Sequence, residues 1–227
     1  MTAEWNAGLV AFSVIVAILG SFTALIHAER MRLSAGRAAI AWMTVGGATL
    51  GLSIWAMHFI GMLAYHLPIA VHYELPLTVL SLAPAVCSAM LGFHLLRGQR
   101  LGLAKVLAGG LVMGLGIASM HFLGMAAIPM QPPIEHNPWV VALAIGIAIV
   151  VSIAALLILQ RSQGRHVQGL LTQVASATVM GLGIAGMHYT AMQDLHIAAD
   201  SVCRTSALDV PTPFLVMAVG GALWCCW

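Results

Sequence analysis

The chain has 227 residues, 61% hydrophobic and 7% charged, with a formal net charge of +2 and a mean hydropathy of +0.98. A water-soluble domain carries about a quarter charged residues, so this composition excludes a soluble globule and makes the bilayer the main solvent. The few basic residues form no stripe that would serve a nucleic acid.

Seven apolar segments follow one another, at 5–26, 38–64, 75–96, 103–128, 139–159, 169–192 and 213–227. The first six are long enough for a helix rising about 1.5 Å per residue to cross a core of about 30 Å. The first has no basic leader and reads as a transmembrane helix rather than a cleaved signal. Pro84 falls inside the third and is expected to kink it. The seventh, a helix from about residue 211, is barely long enough: either it is short or the natural chain continues past Trp227. The expected fold class is an all-α membrane protein of seven transmembrane helices. All connections are short, so residues 1–227 form a single membrane domain. Cys87, Cys225 and Cys226 lie in apolar segments and only Cys203 in a loop, which excludes a disulfide framework.

Orientation follows from Lys and Arg. Arg30, Arg32, Arg37, Arg97, Arg100, Lys105, Arg161 and Arg165 fall in one set of loops and only Arg204 in the other, eight of nine on one side. The expected N-terminus is outside and the C-terminus cytoplasmic, in a multi-pass protein of the bacterial inner membrane. Pro68, Pro129, Pro132, Pro133, Pro138 and Pro211 then sit at outer span ends, where a missing backbone donor costs least.

The strongest signal is an internal repeat. Gly51-Leu-Ser-Ile-Trp-Ala-Met57-His58-Phe-Ile-Gly-Met62, Gly114-Leu-Gly-Ile-Ala-Ser-Met120-His121-Phe-Leu-Gly-Met125 and Gly181-Leu-Gly-Ile-Ala-Gly-Met187-His188-Tyr-Thr-Ala-Met192 share one pattern in segments two, four and six. One unit is a pair of helices, so three pairs plus one make seven, with a pseudo-threefold axis along the membrane normal. The repeated Gly and Ala positions allow close helix approach and need no ligand.

Within each copy the His and the second Met are four residues apart, about 40° around a helix, and share a face. These pairs are His58 with Met62, His121 with Met125 and His188 with Met192. The first Met of each copy, Met57, Met120 or Met187, points about 100° away and is the less certain ligand. If the three faces converge, three imidazoles and up to three thioethers surround one point near the outer ends of the helices. Ionisable groups at such depth usually face an interior cavity. A lone Met-His pair in a span is ordinarily packing, with Met as a flexible filler. Three pairs at equivalent depth point instead to a shared metal or polar cofactor site, with a metal-free histidine network as the alternative. Thioether sulfur favours copper, while three histidines alone would equally suit zinc. His66, His72, His136 and His196 read as solvated outer-loop residues, and His27, His94 and His166 as inner-end residues remote from the motifs.

Met187-His188-Tyr189-Thr190 is the literal signature of the MHYT domain, and the chain resembles that bacterial integral-membrane sensor family. Met57-His58-Phe59-Ile60 and Met120-His121-Phe122-Leu123 keep Met-His and an aromatic but depart at the fourth position, so the Thr190 hydroxyl is not a shared ligand. The resemblance covers nearly the whole chain. It implies copper held by the motif Met and His, a diatomic gas ligand (oxygen, carbon monoxide or nitric oxide), and a cytoplasmic output such as a cyclic-di-GMP enzyme, a histidine kinase or a DNA-binding regulator, supplied by a longer chain or by a partner. A homodimer is compatible with such a module, and nothing in the chain itself reads as a catalytic domain. Two other functions remain open from the residues. A zinc-dependent intramembrane hydrolase needs a nearby acid or base, for which Asp194 and Glu74 are the peripheral candidates. A copper carrier needs an inward relay of Met, His or Cys-x-x-Cys, which the sequence lacks.

Overall fold

The computed structural model describes residues 4–66, 71–95, 102–132, 134, 136–161, 166–193, 195, 202–203, 209–211, 214–215 and 217–221. It is mostly helical. Helices α1 (Ala7–Leu33), α2 (Gly36–Ala64), α3 (Leu75–Leu80), α4 (Leu82–Leu95), α5 (Leu103–Ala126), α6 (Pro138–Arg161) and α7 (His166–Met192) follow in order. α3 and α4 form one interrupted span, so among the described residues six helices are long and apolar enough to cross a membrane. The expected seventh segment lies largely outside the described residues; residues 214–215 and 217–221 within it are helical.

The six spans form a closed ring in the order α1, α2, α3–α4, α5, α6, α7 and back to α1. Alternate members behave differently. The motif-bearing α2, α5 and α7 also touch one another, and each is more buried than the helices beside it. They are the inner trio, and α1, α3–α4 and α6 surround them. Lipid tails offer no hydrophobic drive between helices, so close backbone approach has to supply the adhesion. Small residues at equivalent motif positions provide it. A Cβ at Gly51 would lie 2.8 Å from the Cα of Val86 on α4, one at Gly114 2.5 Å from that of Ile149 on α6, and one at Gly181 2.7 Å from that of Ile18 on α1. Two residues further along, Ser53, Gly116 and Gly183 press on the other flank, against Gly20 of α1, Ser88 of α4 and Val151 of α6. Each inner helix is thus wedged between two outer ones, and the third unit closes the ring by packing onto the first helix. Polar contacts reinforce two seams. The Ser176 hydroxyl of α7 donates to the Ala155 carbonyl of α6 at 2.6 Å, and the Gln173 amide donates to the Glu29 carboxylate of α1.

The third span breaks where its sequence requires. Pro84 has no N–H to offer the preceding turn and its ring crowds the carbonyl four residues back. The chain leaves regular helix at Ser81. Trp55 of α2 uses the break: its indole N–H lies 3.0 Å from the Thr78 carbonyl and 3.2 Å from the Ser81 hydroxyl.

The two ends of the bundle differ. At one end α1 carries Arg30 and Arg32 in its last turn, and the guanidinium of Arg30 lies 4.8 Å over the Trp42 ring. At the motif end, connecting segments pair as three short antiparallel ladders. β1 (Glu4–Trp5) pairs with β2 (Tyr65–His66), β3 (His72–Glu74) with β6 (Asp209–Pro211), and β4 (Met130–Gln131) with β5 (Val202–Cys203). These ladders satisfy backbone groups over the mouths of the inner helices. The Cys203 thiol pins two of them together, accepting from the His72 N–H at 3.4 Å.

Candidate metal centre

His58, His121 and His188 each lie within the last two turns of α2, α5 and α7. The wedging that sets these helices at equal depth turns their three histidine faces onto one axis. The imidazoles are 0%, 1% and 0% exposed, so no solvent reaches them. Their Nδ1 atoms form a nearly equilateral triangle: 3.1 Å between His58 and His121, 3.2 Å between His58 and His188, and 3.2 Å between His121 and His188. The rings stand almost perpendicular to one another, at 88°, 90° and 81°.

This triangle cannot be three hydrogen bonds. A ring nitrogen of neutral imidazole has one in-plane site, either an N–H or a lone pair. Three nitrogens in mutual contact always leave at least one pair of like sites facing each other. A shared cation resolves the conflict by accepting three lone pairs at once. The edge length fits: two nitrogens bound to one zinc-sized ion at about 2.0–2.1 Å with tetrahedral angles lie roughly 3.3 Å apart. The three buried histidines therefore suit a metal ion. Among the described residues no carboxylate or thiol joins the cluster.

The six motif methionines are all buried in the same core. Met57, Met120 and Met187 are wholly enclosed. Met62, one turn beyond His58, also lines a cavity of about 20 Å³ with Tyr65, Val71, Tyr73, Ile128, Met130, Ile134 and Leu195. That volume suits about one water-sized molecule. It lies on the ladder side of the motif histidines: Met62 is its one helical lining residue, and the others belong to the ladders and to the segments beyond α2, α5 and α7. Burial pushes the phenols of Tyr65 and Tyr73 up, with Cys203 adding to the effect at Tyr73, so both remain neutral hydroxyls at physiological pH.

Each motif aromatic links its histidine to this cap. Phe59 packs edge-on against His58 and reaches Tyr73 at 5.8 Å between centroids. Phe122 does the same between His121 and His136 at 5.6 Å, and Tyr189 between His188 and Trp5 at 5.4 Å. Tyr189 also uses its hydroxyl. Ser13 gives its hydrogen to the Val10 carbonyl, so Tyr189 donates to Ser13 at 2.7 Å. His136, expected to be a solvated loop residue, is instead part-buried behind Phe122, while His66 is exposed. Asp194 and His196 lie outside the described residues, and Glu74 is held in the ladder opposite Asp209.

One element of the site is absent from the sequence reading. The Nε2 atoms of His58 and His188 are buried without a hydrogen-bond partner, and each abuts a glycine of a neighbouring motif, Gly124 and Gly61 respectively. The signal was present in the repeat: the third residue after each histidine is small in every copy, as Gly61, Gly124 and Ala191.

Comparison with known proteins agrees with the repeat. The family model MHYT, described as "Bacterial signalling protein N terminal repeat", matches residues 51–109 and 114–172. The chain is 42% identical over 219 residues to the bifunctional diguanylate cyclase/cyclic di-GMP phosphodiesterase MucR of Pseudomonas aeruginosa, covering 96% of this chain and 32% of MucR. It is 38% identical over 193 residues to the cyclic di-GMP phosphodiesterase NbdA of the same organism, covering 84% of this chain and 24% of NbdA. With the signaling protein YkoW of Bacillus subtilis it shares 30% over 210 residues, 92% of this chain and 26% of YkoW. The chain thus spans about a third or less of these relatives. No solved structure matches it.

Proposed function

Since this chain belongs to the MHYT family of bacterial signalling proteins, we propose that it is a membrane-embedded input module that binds a metal ion through His58, His121 and His188 and reports a small ligand to a cytoplasmic output. The single observation that carries the metal reading is the buried triangle of Nδ1 atoms, whose three contacts cannot all be hydrogen bonds. Met62, Met125 and Met192, one helical turn beyond the histidines, are the thioethers on the same faces; with them the donor set favours copper over zinc. Met57, Met120 and Met187 are the remaining candidate ligands. A bound metal would supply an electrophilic centre able to take a small neutral ligand such as oxygen, carbon monoxide or nitric oxide.

The chain's own residues do the rest. The aromatic and ladder cap excludes bulk water and leaves a chamber of about 20 Å³, too small for a lipid or a peptide. A change at the triangle bears on α2, α5 and α7 together, and their glycine wedges pass it to the outer helices. Coupling requires that the ligand bind two arrangements of the trio with different affinity. The basic end, by the charge rule, faces the cytoplasm, where an output of the kind named in MucR and NbdA would receive the signal. This chain aligns with 32% of MucR and 24% of NbdA, and the role proposed for it is the sensory one, in the bacterial inner membrane. The small size of the chamber counts against a lipid hydrolase.

Elemental analysis of the detergent-purified chain tests the metal. Wild type is expected to carry about one ion per chain, copper predominating, and the triple variant His58→Ala/His121→Ala/His188→Ala none. Equal metal in the two proteins would sink the reading.

A further inference from the structure

A metal-binding imidazole is ordinarily oriented by a hydrogen bond on its second nitrogen, to a carboxylate, a carbonyl or water. Two of the three here have no such partner among the described residues: the Nε2 atoms of His58 and His188 are buried and unpaired. Their aim toward the triangle must come from packing. The packing surface is specific. A Cβ built on Gly124 would lie 2.5 Å from His58 Nε2, 2.9 Å from its Cδ2 and 3.4 Å from its Cε1. A Cβ on Gly61 would meet the same three atoms of His188 in the same order, the Cδ2 at 2.8 Å and the Cε1 at 3.3 Å. Two independent copies of the repeat therefore show one arrangement. The outer edge of each ring rests on the backbone of the next inner helix, at a place where only hydrogen fits.

We propose that Gly61 and Gly124 are positioning residues of the histidine triangle, each fixing the imidazole of the preceding copy in the cycle: Gly61 of α2 holds His188 of α7, and Gly124 of α5 holds His58 of α2. Held this way, each ring turns its Nδ1 inward without a hydrogen bond to orient it. The equivalent residue of the third copy is Ala191, buried on α7, so the glycine wall is a feature of His58 and His188, the two imidazoles whose Nε2 is buried and unpaired. Unlike Gly51, Gly114 and Gly181, which serve helix contact, Gly61 and Gly124 serve a side chain. The metal-related part of this inference rests on the function proposed above; the packing part does not.

The test uses the full chain in detergent with two readouts. In the first, side-chain ¹⁵N spectra of histidine are recorded in the absence of metal, with assignments from single His→Gln variants. Gly61→Ala is expected to move the His188 resonances and leave His58 in place; Gly124→Ala is expected to move His58 and leave His188. Gly146→Ala, whose methyl would meet nothing within 4 Å, is the control and should move neither. In the second, Cu²⁺ is titrated and followed by electron paramagnetic resonance; each glycine variant should bind at least about tenfold more weakly than wild type, an expected loss of about 1.4 kcal/mol. If a variant unfolds, thermal melting of doubles decides: His188→Ala should recover at least half of the melting temperature lost in Gly61→Ala, and His58→Ala should not. Resonances that stay put, or rescue that ignores which histidine is removed, would overturn the proposal. Absence of Cu²⁺ binding by wild type would instead defeat the metal reading and leave the spectra and the doubles to judge the walls.

Discussion

Replacing Gly114 by alanine places a methyl 2.5 Å from the Cα of Ile149, 2.6 Å from its N and 2.8 Å from its Cγ1. Carbon atoms pack best at about 3.5–4.0 Å, so α5 and α6 must separate by about 1 Å along that seam. Overpacking of this kind costs about 1–3 kcal/mol, and the gain in helix propensity from glycine to alanine returns about 1 kcal/mol. The expected net loss is about 0–2 kcal/mol, and the gap to a clash-free Gly→Ala in the same bundle is the full ~1–3 kcal/mol. Gly146→Ala on α6 is the matched control, since its methyl meets nothing within 4 Å and should leave stability unchanged or raise it slightly. The difference is measurable by thermal melting in one detergent, where 1 kcal/mol moves the midpoint of a protein this size by roughly 2–4 °C. Gly51→Ala and Gly181→Ala should fall with Gly114→Ala. Equal melting temperatures for Gly114→Ala and Gly146→Ala would refute the view that these motif glycines hold the ring together.

Further outcomes follow from the same geometry. Tyr189→Phe removes the hydroxyl bonded to Ser13 and should lower stability by about 0.5–1.5 kcal/mol, read as a drop of a few degrees on melting. Trp55→Phe removes the donor to the Thr78 carbonyl and the Ser81 hydroxyl, which keep only their bond to each other, and it also empties buried ring volume; it should cost more than Tyr189→Phe in the same assay. Copper at about a hundredfold excess over its dissociation constant should stabilise wild type by about 2.7 kcal/mol and leave His121→Ala unaffected, a comparison made by melting with and without chelator. In a background lacking native cysteines, Gln131→Cys at the motif end should react with an impermeant maleimide in intact spheroplasts and Ala35→Cys only after lysis; the reverse pattern would invert the orientation drawn from the basic residues.

The spans were legible because the bilayer imposes one rule, a long apolar run, and the runs at 38–64 and 169–192 became α2 and α7 with little adjustment. α1 continues past its apolar run to Leu33, since long arginine stems at 30 and 32 cover a helical turn while keeping their charges in water. The convergence of the three histidines was legible too: the repeat fixed their equal depth, and the helical period fixed their faces. The three ladders were not, because two- and three-residue strands such as Tyr65–His66 carry no alternation, and their partners are set by which loops the closed ring brings together. The glycine walls were hidden for a related reason. Spacing within one helix showed which residues share a face, but not that Gly61 meets a histidine from the opposite end of the chain.

The closure of the ring has a consequence for biogenesis. Gly181 packs against Ile18, so the seam joins helices that leave the ribosome at opposite ends of the membrane domain. The first two units can associate as they enter the bilayer, but α1 keeps an unpartnered flank, and the nitrogen triangle has an open side, until α7 arrives. Contacts this distant along the chain form late. The triangle of three nitrogens is therefore completed only after the last repeat has inserted, and a chain stalled before α7 presents two of the three histidines.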